Sequence, residues 1–365
     1  MVSINFLPDA KYDEVSLGEI MLRLDPGESR IKLARQFATW EGGGEYNVAK
    51  GLSYVFGLNT AVITAFADNE IGKLLTYYVK SGGVSTDYIK YFKYDGIGKN
   101  VRNGLNFTER GFGIRAALGV SDRANTAVSK MTSADIDLVK LFKNDKVKVL
   151  HTGGIFAALS ENTSKTVLDI VKYAKQCGTI ISYDLNFRPS LWEYNGGVDN
   201  ARKINSEIAK LVDIMIGNEE DFSEALGIQA PGYDTSLKVI DPKVYANIQG
   251  AALEVFPNFQ VVATTLRTVK TATINSWTAC VSTRQDGFIQ GIELPDLEIM
   301  DRVGGGDSFA SGLIYGLLTT GDIQKAVNFG IAHGALAMTT PGDTSMASLS
   351  DVNNVVQGGT ARVKR

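Results

Sequence analysis

The stretch DRVGGGDSFASGLIYGLL, residues 301–318, decides how the chain is read. After Asp307 the apolar residues Phe309, Leu313, Ile314, Leu317 and Leu318 recur at helical spacing, so three glycines and a carboxylate feed a helix N-terminus. Glycines let backbone N–H groups crowd around a ligand, and a helix start adds partial positive charge. Gly304, Gly305 and Gly306 therefore outline an anion cradle. A carboxylate beside such a cradle would repel a resting phosphate. It becomes useful when it takes the proton from an attacking hydroxyl while the backbone donors hold a phosphoryl group in transfer. Asp307 also fits an ordinary helix N-cap behind a flexible loop, and local features leave both readings open.

Composition narrows the alternatives. The 365 residues are 44% hydrophobic and 21% charged, enough for one large core with or without a small appended domain. Lys and Arg (37) nearly balance Asp and Glu (40), and no basic tract marks a nucleic-acid partner. No apolar run reaches the roughly 18 residues of a membrane span, and MVSINFLPDAKYDEV at the start lacks a signal-peptide pattern, so a cytoplasmic protein is expected. Cys177, Cys280, His151 and His333 are too little material for a disulfide framework, a zinc site or a hydrolase triad.

Short apolar runs at 60–66 (TAVITAF), 146–151 (KVKVLH), 178–184 (GTIISYD), 212–217 (VDIMIG) and 260–265 (QVVATT) predict strands. Helical patterns at 47–56, 71–80, 166–176 and 244–256 lie between them, so an α/β fold with a mostly parallel sheet flanked by helices is expected. Ligands in such sheets sit beyond the carboxyl ends of the strands. There the chain collects Thr152, Gly153 and Gly154, then Asp184, Asn186 and Arg188, then Asn218, Glu219, Glu220 and Asp221. Residues 23–41 and 93–124 break the rhythm, being polar, Gly-rich and partly alternating. They fit a small β insertion on a main domain of 1–22, 42–92 and 125–365: either a lid turning Arg and Asn toward a ligand, or a pair of solvated hairpins. Residues 228–242 read as a variable loop.

No GxxxxGK[ST] occurs, which excludes a P-loop. A GxGxxA match at Gly111, Gly113 and Ala116 opens alternating residues rather than a helix, so a dinucleotide reading fails. A second glycine cluster, EGGGEYNVAKGL (41–52), precedes a helix. Its glycines let a polyhydroxylated ligand touch backbone, and Asn47 can both donate and accept toward hydroxyls. A helix entry with an Asn cap is the alternative.

In type, order and separation, GGGEYNVAKGL, GNEED (217–221) and DRVGGGDSF resemble the ribokinase-like (PfkB) sugar kinases over nearly the whole chain. The resemblance implies an α/β domain with a β lid, use of ATP and Mg²⁺, and phosphorylation of a sugar hydroxyl. It implies Asp307 as catalytic base, Gly304, Gly305 and Gly306 as its anion hole, and Gly43, Gly44 and Asn47 as sugar contacts. Asn218 is implied in nucleotide binding, with Glu219 and Asp221 positioning Mg²⁺ through water, while Ala332, Gly334 and Ala335 resemble the small residues lining the adenine pocket. Departures are Asp221 for the usual Glu, Arg302 for threonine, Gly305 for alanine and Glu45 for a small residue. The counterpart of the family's nucleotide loop, TTLRTVKTATINSWTA (264–279), lacks its glycines, and Arg267 or Lys270 is expected to take over.

DLNFRPSLW (184–192) and SDRANTA (121–127) resemble the 2-keto-3-deoxygluconate kinases, although Ser121 stands where related kinases often carry tyrosine. Bidentate guanidinium contacts suit a carboxylate, so Arg188 and Arg123 are candidate ligands of a sugar acid. Arg188 capping the strand end against Asp184 is the alternative. The implied reaction moves the ATP γ-phosphoryl group to the primary hydroxyl of 2-keto-3-deoxygluconate, giving the 6-phosphate. A kinase of another sugar or sugar acid, such as fructose or 5-dehydro-2-deoxygluconate, and a catalytically silent sugar or nucleotide sensor are the other readings. Pairing of lids predicts a homodimer.

Overall fold

The five apolar runs become neighbouring strands, and their order places every polar cluster at one edge of a single sheet. The computed structural model describes residues 4–229 and 242–359, so the loop expected at 228–242 lies, except for its ends, outside the described residues. In chain order the strands are β1 (Tyr12–Leu17), β2 (Met21–Asp25), β3 (Ala38–Gly42), β4 (Thr60–Asp68), β5 (Ser85–Lys93), β6 (Leu105–Glu109), β7 (Leu118–Asp122), β8 (Val147–Gly153), β9 (Ile180–Asp184), β10 (Ile214–Ile216), β11 (Val261–Val269), β12 (Ile274–Thr283), β13 (Gly287–Gln290) and β14 (Leu294–Glu298). Ten form one sheet in the order β13-β12-β11-β10-β9-β8-β1-β4-β5, with β14 also on β12. Pairing is parallel from β5 through β11, then reverses at β12.

Helices cover both faces, which is why the central strands read as continuous apolar runs. Successive side chains of a strand point to opposite faces. Thus Met215 joins the apolar cluster of Val167, Ile170 and Val171, while its neighbours Ile214 and Ile216 join that of Phe309, Leu313 and Ile314. On that second face the helices Gly305–Thr320 and Ile323–Ala337 pack backbone to backbone. A Cβ at Gly312 would lie 2.5 Å from the Phe329 carbonyl oxygen, and one at Gly316 2.3 Å from Ala326 Cα.

The remaining four strands form a separate sheet, ordered β3-β2-β6-β7. β2 runs antiparallel to β3 and parallel to β6, and β6 antiparallel to β7. The GxGxxA match falls in the tight connection from β6 to β7, where Phe112 and Arg115 exchange backbone hydrogen bonds of 2.9 and 2.8 Å. Two elements differ from expectation. The helix expected from 47 begins at Gly44 and runs to Lys50, then continues as a wider coil over Gly51–Val55. The stretch 264–279 forms most of a β11–β12 hairpin with Arg267 opposite Trp277. No described helix is long and apolar enough to cross a membrane.

Candidate active site

A cleft of about 680 Å³ lies between the carboxyl ends of the parallel strands and the four-stranded sheet. Its floor is the start of helix Gly305–Thr320. Gly304 turns the chain into that helix at φ +79°, and a Cβ there would fall 1.8 Å from the Asp343 carbonyl oxygen, so no larger residue fits. Gly306 and Asp307 face the cleft, whereas Gly305 turns inward against Met338.

The two glycine clusters meet on this floor. Asn47 Nδ2 donates to Asp307 Oδ2 at 2.7 Å, and the Asn47 amide oxygen accepts from Gly43 N at 3.4 Å, which orients the amide. A Cβ at Gly44 would stand 3.4 Å from Asp307 Oδ1, so the glycine leaves that oxygen accessible. Burial pushes the Asp307 carboxyl up to about 6; the Asn47 bond and Arg188 oppose the shift, and Asp343 adds to it. A carboxylate poised near neutrality, with one oxygen held and the other free, has the geometry of a general base.

Glu45 follows Gly44 and also lines the cleft. Burial, with some contribution from Asp307, raises it to about 8, so it is a neutral acid at pH 7 and can donate a hydrogen bond. Arg123 and Arg188 both line the cleft but differ in state. Arg123 Nε lies 3.1 Å from Glu19 Oε2 and is already neutralised. Arg188 is exposed; its Nη1 donates to the Phe187 carbonyl at 2.9 Å, and it forms no ion pair with Asp184. Arg188, unlike Arg123, is therefore left without a carboxylate partner among the described residues.

Asn218 and Asp221 both line the cleft and cap the helix Glu219–Leu226 reciprocally, with bonds of 2.8 and 2.9 Å. The other Asp221 oxygen accepts from Phe187 N at 2.8 Å. Both carboxylate oxygens therefore carry a backbone donor, and Asp221 ties the loop after β9 to the helix after β10. Glu219 is half-buried and stands beside the cleft rather than in its lining.

Arg267 and Arg302 line the far wall, and neither has a carboxylate within ion-pair distance among the described residues. Burial, aided by the proximity of Arg302, lowers the Arg267 pKa. Lys270 lies outside the cleft lining and pairs with Asp296 at 3.6 Å on the surface. Ala332 and Ala335 are buried in the packing of helix Ile323–Ala337 and do not line the cleft. Beside them the Trp277 indole donates to the Ile331 carbonyl at 3.1 Å.

Sequence reasoning gave Glu19 and Asp343 no role and noted Arg302 and Glu45 only as departures. The available signal was charge where apolar or small residues are expected, as with Arg23 inside MLRLD and Asp343 inside PGDTS.

The sequence profile of the pfkB family carbohydrate kinases matches residues 13–349. The chain belongs to that family. A solved 2-dehydro-3-deoxygluconokinase from Thermotoga maritima is 34% identical and superposes with a TM-score of 0.85, covering 94% of this chain and 99% of its own. A 2-dehydro-3-deoxygalactonokinase from Haloferax volcanii is 26% identical over 96% of this chain and 98% of its own length. A 5-dehydro-2-deoxygluconokinase from Clostridium botulinum is also 26% identical, over 97% and 95%. The pfkB sugar kinase is therefore a phosphotransferase with the ribokinase-like fold expected from its motifs.

Proposed function

We propose that this sugar kinase transfers the γ-phosphoryl group of ATP to the primary hydroxyl of 2-keto-3-deoxygluconate, giving the 6-phosphate. The observation that carries the mechanism is Asp307, held by Asn47 beside the Gly304–Gly306 cradle with one oxygen open to the cleft. Asp307 takes the hydroxyl proton, the freed oxygen attacks phosphorus, and backbone N–H groups of the cradle stabilise the charge on the transferring oxygens. Asn47, Gly43 and Gly44 line the sugar side.

An acidic substrate follows from Arg188, a cleft guanidinium without a carboxylate partner among the described residues, which suits bidentate capture. Kinases named for keto-deoxy sugar acids among the relatives support the same class. Arg267 and Arg302 form the anion-binding wall that a polyphosphate needs, and Asn218 lies near that end. Mg²⁺ in such kinases is carried mainly by substrate phosphates and water. Glu219, with Asp221 behind it, would hold that ion through water, and the ion would neutralise charge on the phosphates. The four-stranded sheet serves as lid, and exposed Leu118 and Val120 on β7 favour its pairing in a homodimer, which sedimentation velocity tests.

The test is ADP release over a panel of 2-keto-3-deoxygluconate, its galacto epimer, 5-dehydro-2-deoxygluconate, fructose and ribose. The first should turn over best, and Arg188→Ala should raise KM for the acids while leaving neutral sugars unchanged. Preferred turnover of fructose or ribose would overturn the assignment.

A further inference from the structure

Arg23 sits on β2 of the four-stranded sheet, yet it is completely buried and does not line the cleft. Its Nη2 binds Asp25 at 3.0 Å and also Asp301, and its Nη1 binds Asp343. One carboxylate from its own strand and two from distant segments therefore converge on one guanidinium, with Arg110 Nε a further 3.4 Å from Asp25. Two of the three belong to the cradle's supports. Asp301 opens the DRVGGGD segment, and its Oδ1 accepts from Val303 N at 3.2 Å. Asp343 presents the carbonyl against which Gly304 packs, and its side chain reaches the cleft.

Such a node is an expensive way to hold a fold together. Buried charges lose hydration, and well-packed apolar residues often serve stability as well or better. Burial pushes Asp343 up to about 6 even with Arg23 beside it, and Asp301 and Glu41 add to the shift. What apolar residues could not supply is direction: a planar fork of fixed geometry sets the relative position of the groups it binds.

We propose that Arg23 is a positioning residue for phosphoryl transfer: from the four-stranded sheet it clamps Asp301 and Asp343, fixing both sides of the Gly304–Gly306 cradle and with them the placement of Asp307. The proposal rests on reading that cradle as the anion hole. It also couples the sugar side to the phosphoryl side. Met21, two residues before Arg23 on the same strand, lines the cleft, and Glu19 just before it holds Arg123. Arg23 thus links the strand that lines the cleft at Met21 to the cradle.

The test is steady-state kinetics of Arg23→Ala with and without guanidinium chloride at tens of millimolar. Expected is a kcat loss of ~10²-fold, the scale for a misplaced oxyanion donor. KM for both substrates should move less than about threefold, as befits an interaction made in the transition state. Guanidinium should restore kcat at least tenfold, urea at the same concentration should not, and neither should raise the wild type. Wild-type kcat in Arg23→Ala, or a loss that guanidinium leaves untouched, overturns the proposal. If Arg23→Ala does not fold, Asp301→Asn keeps the shape and removes one clamped charge; it should lose kcat selectively, and an unchanged kcat overturns the proposal equally. Asp307→Asn separates the two readings: it should be inactive and indifferent to guanidinium, and an active Asp307→Asn would sink the anion-hole reading itself.

Discussion

Replacing Asn47 by alanine should move the acid limb of the pH–rate profile rather than lower the rate at every pH. Asn47 Nδ2 donates at 2.7 Å to Asp307 Oδ2, and this bond opposes the burial that raises Asp307 to about 6. A hydrogen bond to a charged group contributes about 1.5–3 kcal/mol, and about 1.4 kcal/mol corresponds to one pKa unit. Its loss should lift the Asp307 pKa by about one to two units, to roughly 7.5. The ionised fraction at pH 6.5 would then fall roughly eightfold, while at pH 9 wild type and variant would differ little in ionisation. Asn47 also lines the cleft on the side proposed for the sugar, so a pH-independent rise in KM should accompany the shift. The assay is kcat and kcat/KM from coupled ADP release between pH 5.5 and 9.5. An acid limb that stays in place, with a loss uniform in pH, would refute the claim that Asp307 is the titrating base and Asn47 its partner.

Three further outcomes are expected. Asp307→Asn should cut kcat ~10²-fold or more. It should also stabilise the protein: the carboxyl is raised from 3.8 to about 6 in the folded state, so folding binds protons between those values and stability falls as pH rises through them. Urea unfolding at pH 7.5 should therefore show the Asn variant more stable by up to about 3 kcal/mol, and equal stability would refute the shift. Glu45, raised to about 8, should ionise above that pH beside Asp307 and the proposed acidic substrate. Wild-type KM for the sugar acid should then climb between pH 7.5 and 9.5 while Glu45→Gln stays flat, and a flat wild type would exclude the neutral-acid role. Arg302→Ala should raise KM for ATP ~10-fold with little effect on KM for the sugar, since the proposed guanidinium–phosphate contact would be lost; the reverse pattern would move Arg302 to the sugar side.

The fold was legible where the physics is local. Runs such as VDIMIG and QVVATT carry apolar side chains to both faces of a sheet covered by helices, and they appear as β10 and β11, the last parallel pair before the antiparallel β12. The floor was legible for the same reason, because DRVGGGD carries cradle, carboxylate and helix start within seven residues. What stayed hidden depends on partners far apart in the chain. Arg23 and Asp343 are separated by 320 positions, and no periodicity signals that one neutralises the other. Arg123 looked like an unpaired ligand for the same reason: its partner Glu19 lies in a different segment. The β11–β12 hairpin was obscured because its residues were read against glycines they lack rather than for their own β-branched alternation.

The close packing of helices Gly305–Thr320 and Ile323–Ala337 bears on how this enzyme could acquire new substrates. With backbone against backbone at Gly312 and Gly316, a single added methyl on that contact collides with main chain, which cannot rotate aside. Sequence drift is thereby barred from the helix pair carrying the cradle and more readily admitted into the four-stranded sheet opposite, where Met21, Asn106, Thr108 and Ser121 line the cleft. A lineage could exchange one sugar for a longer or epimeric one by rewriting the roof while inheriting the floor unchanged.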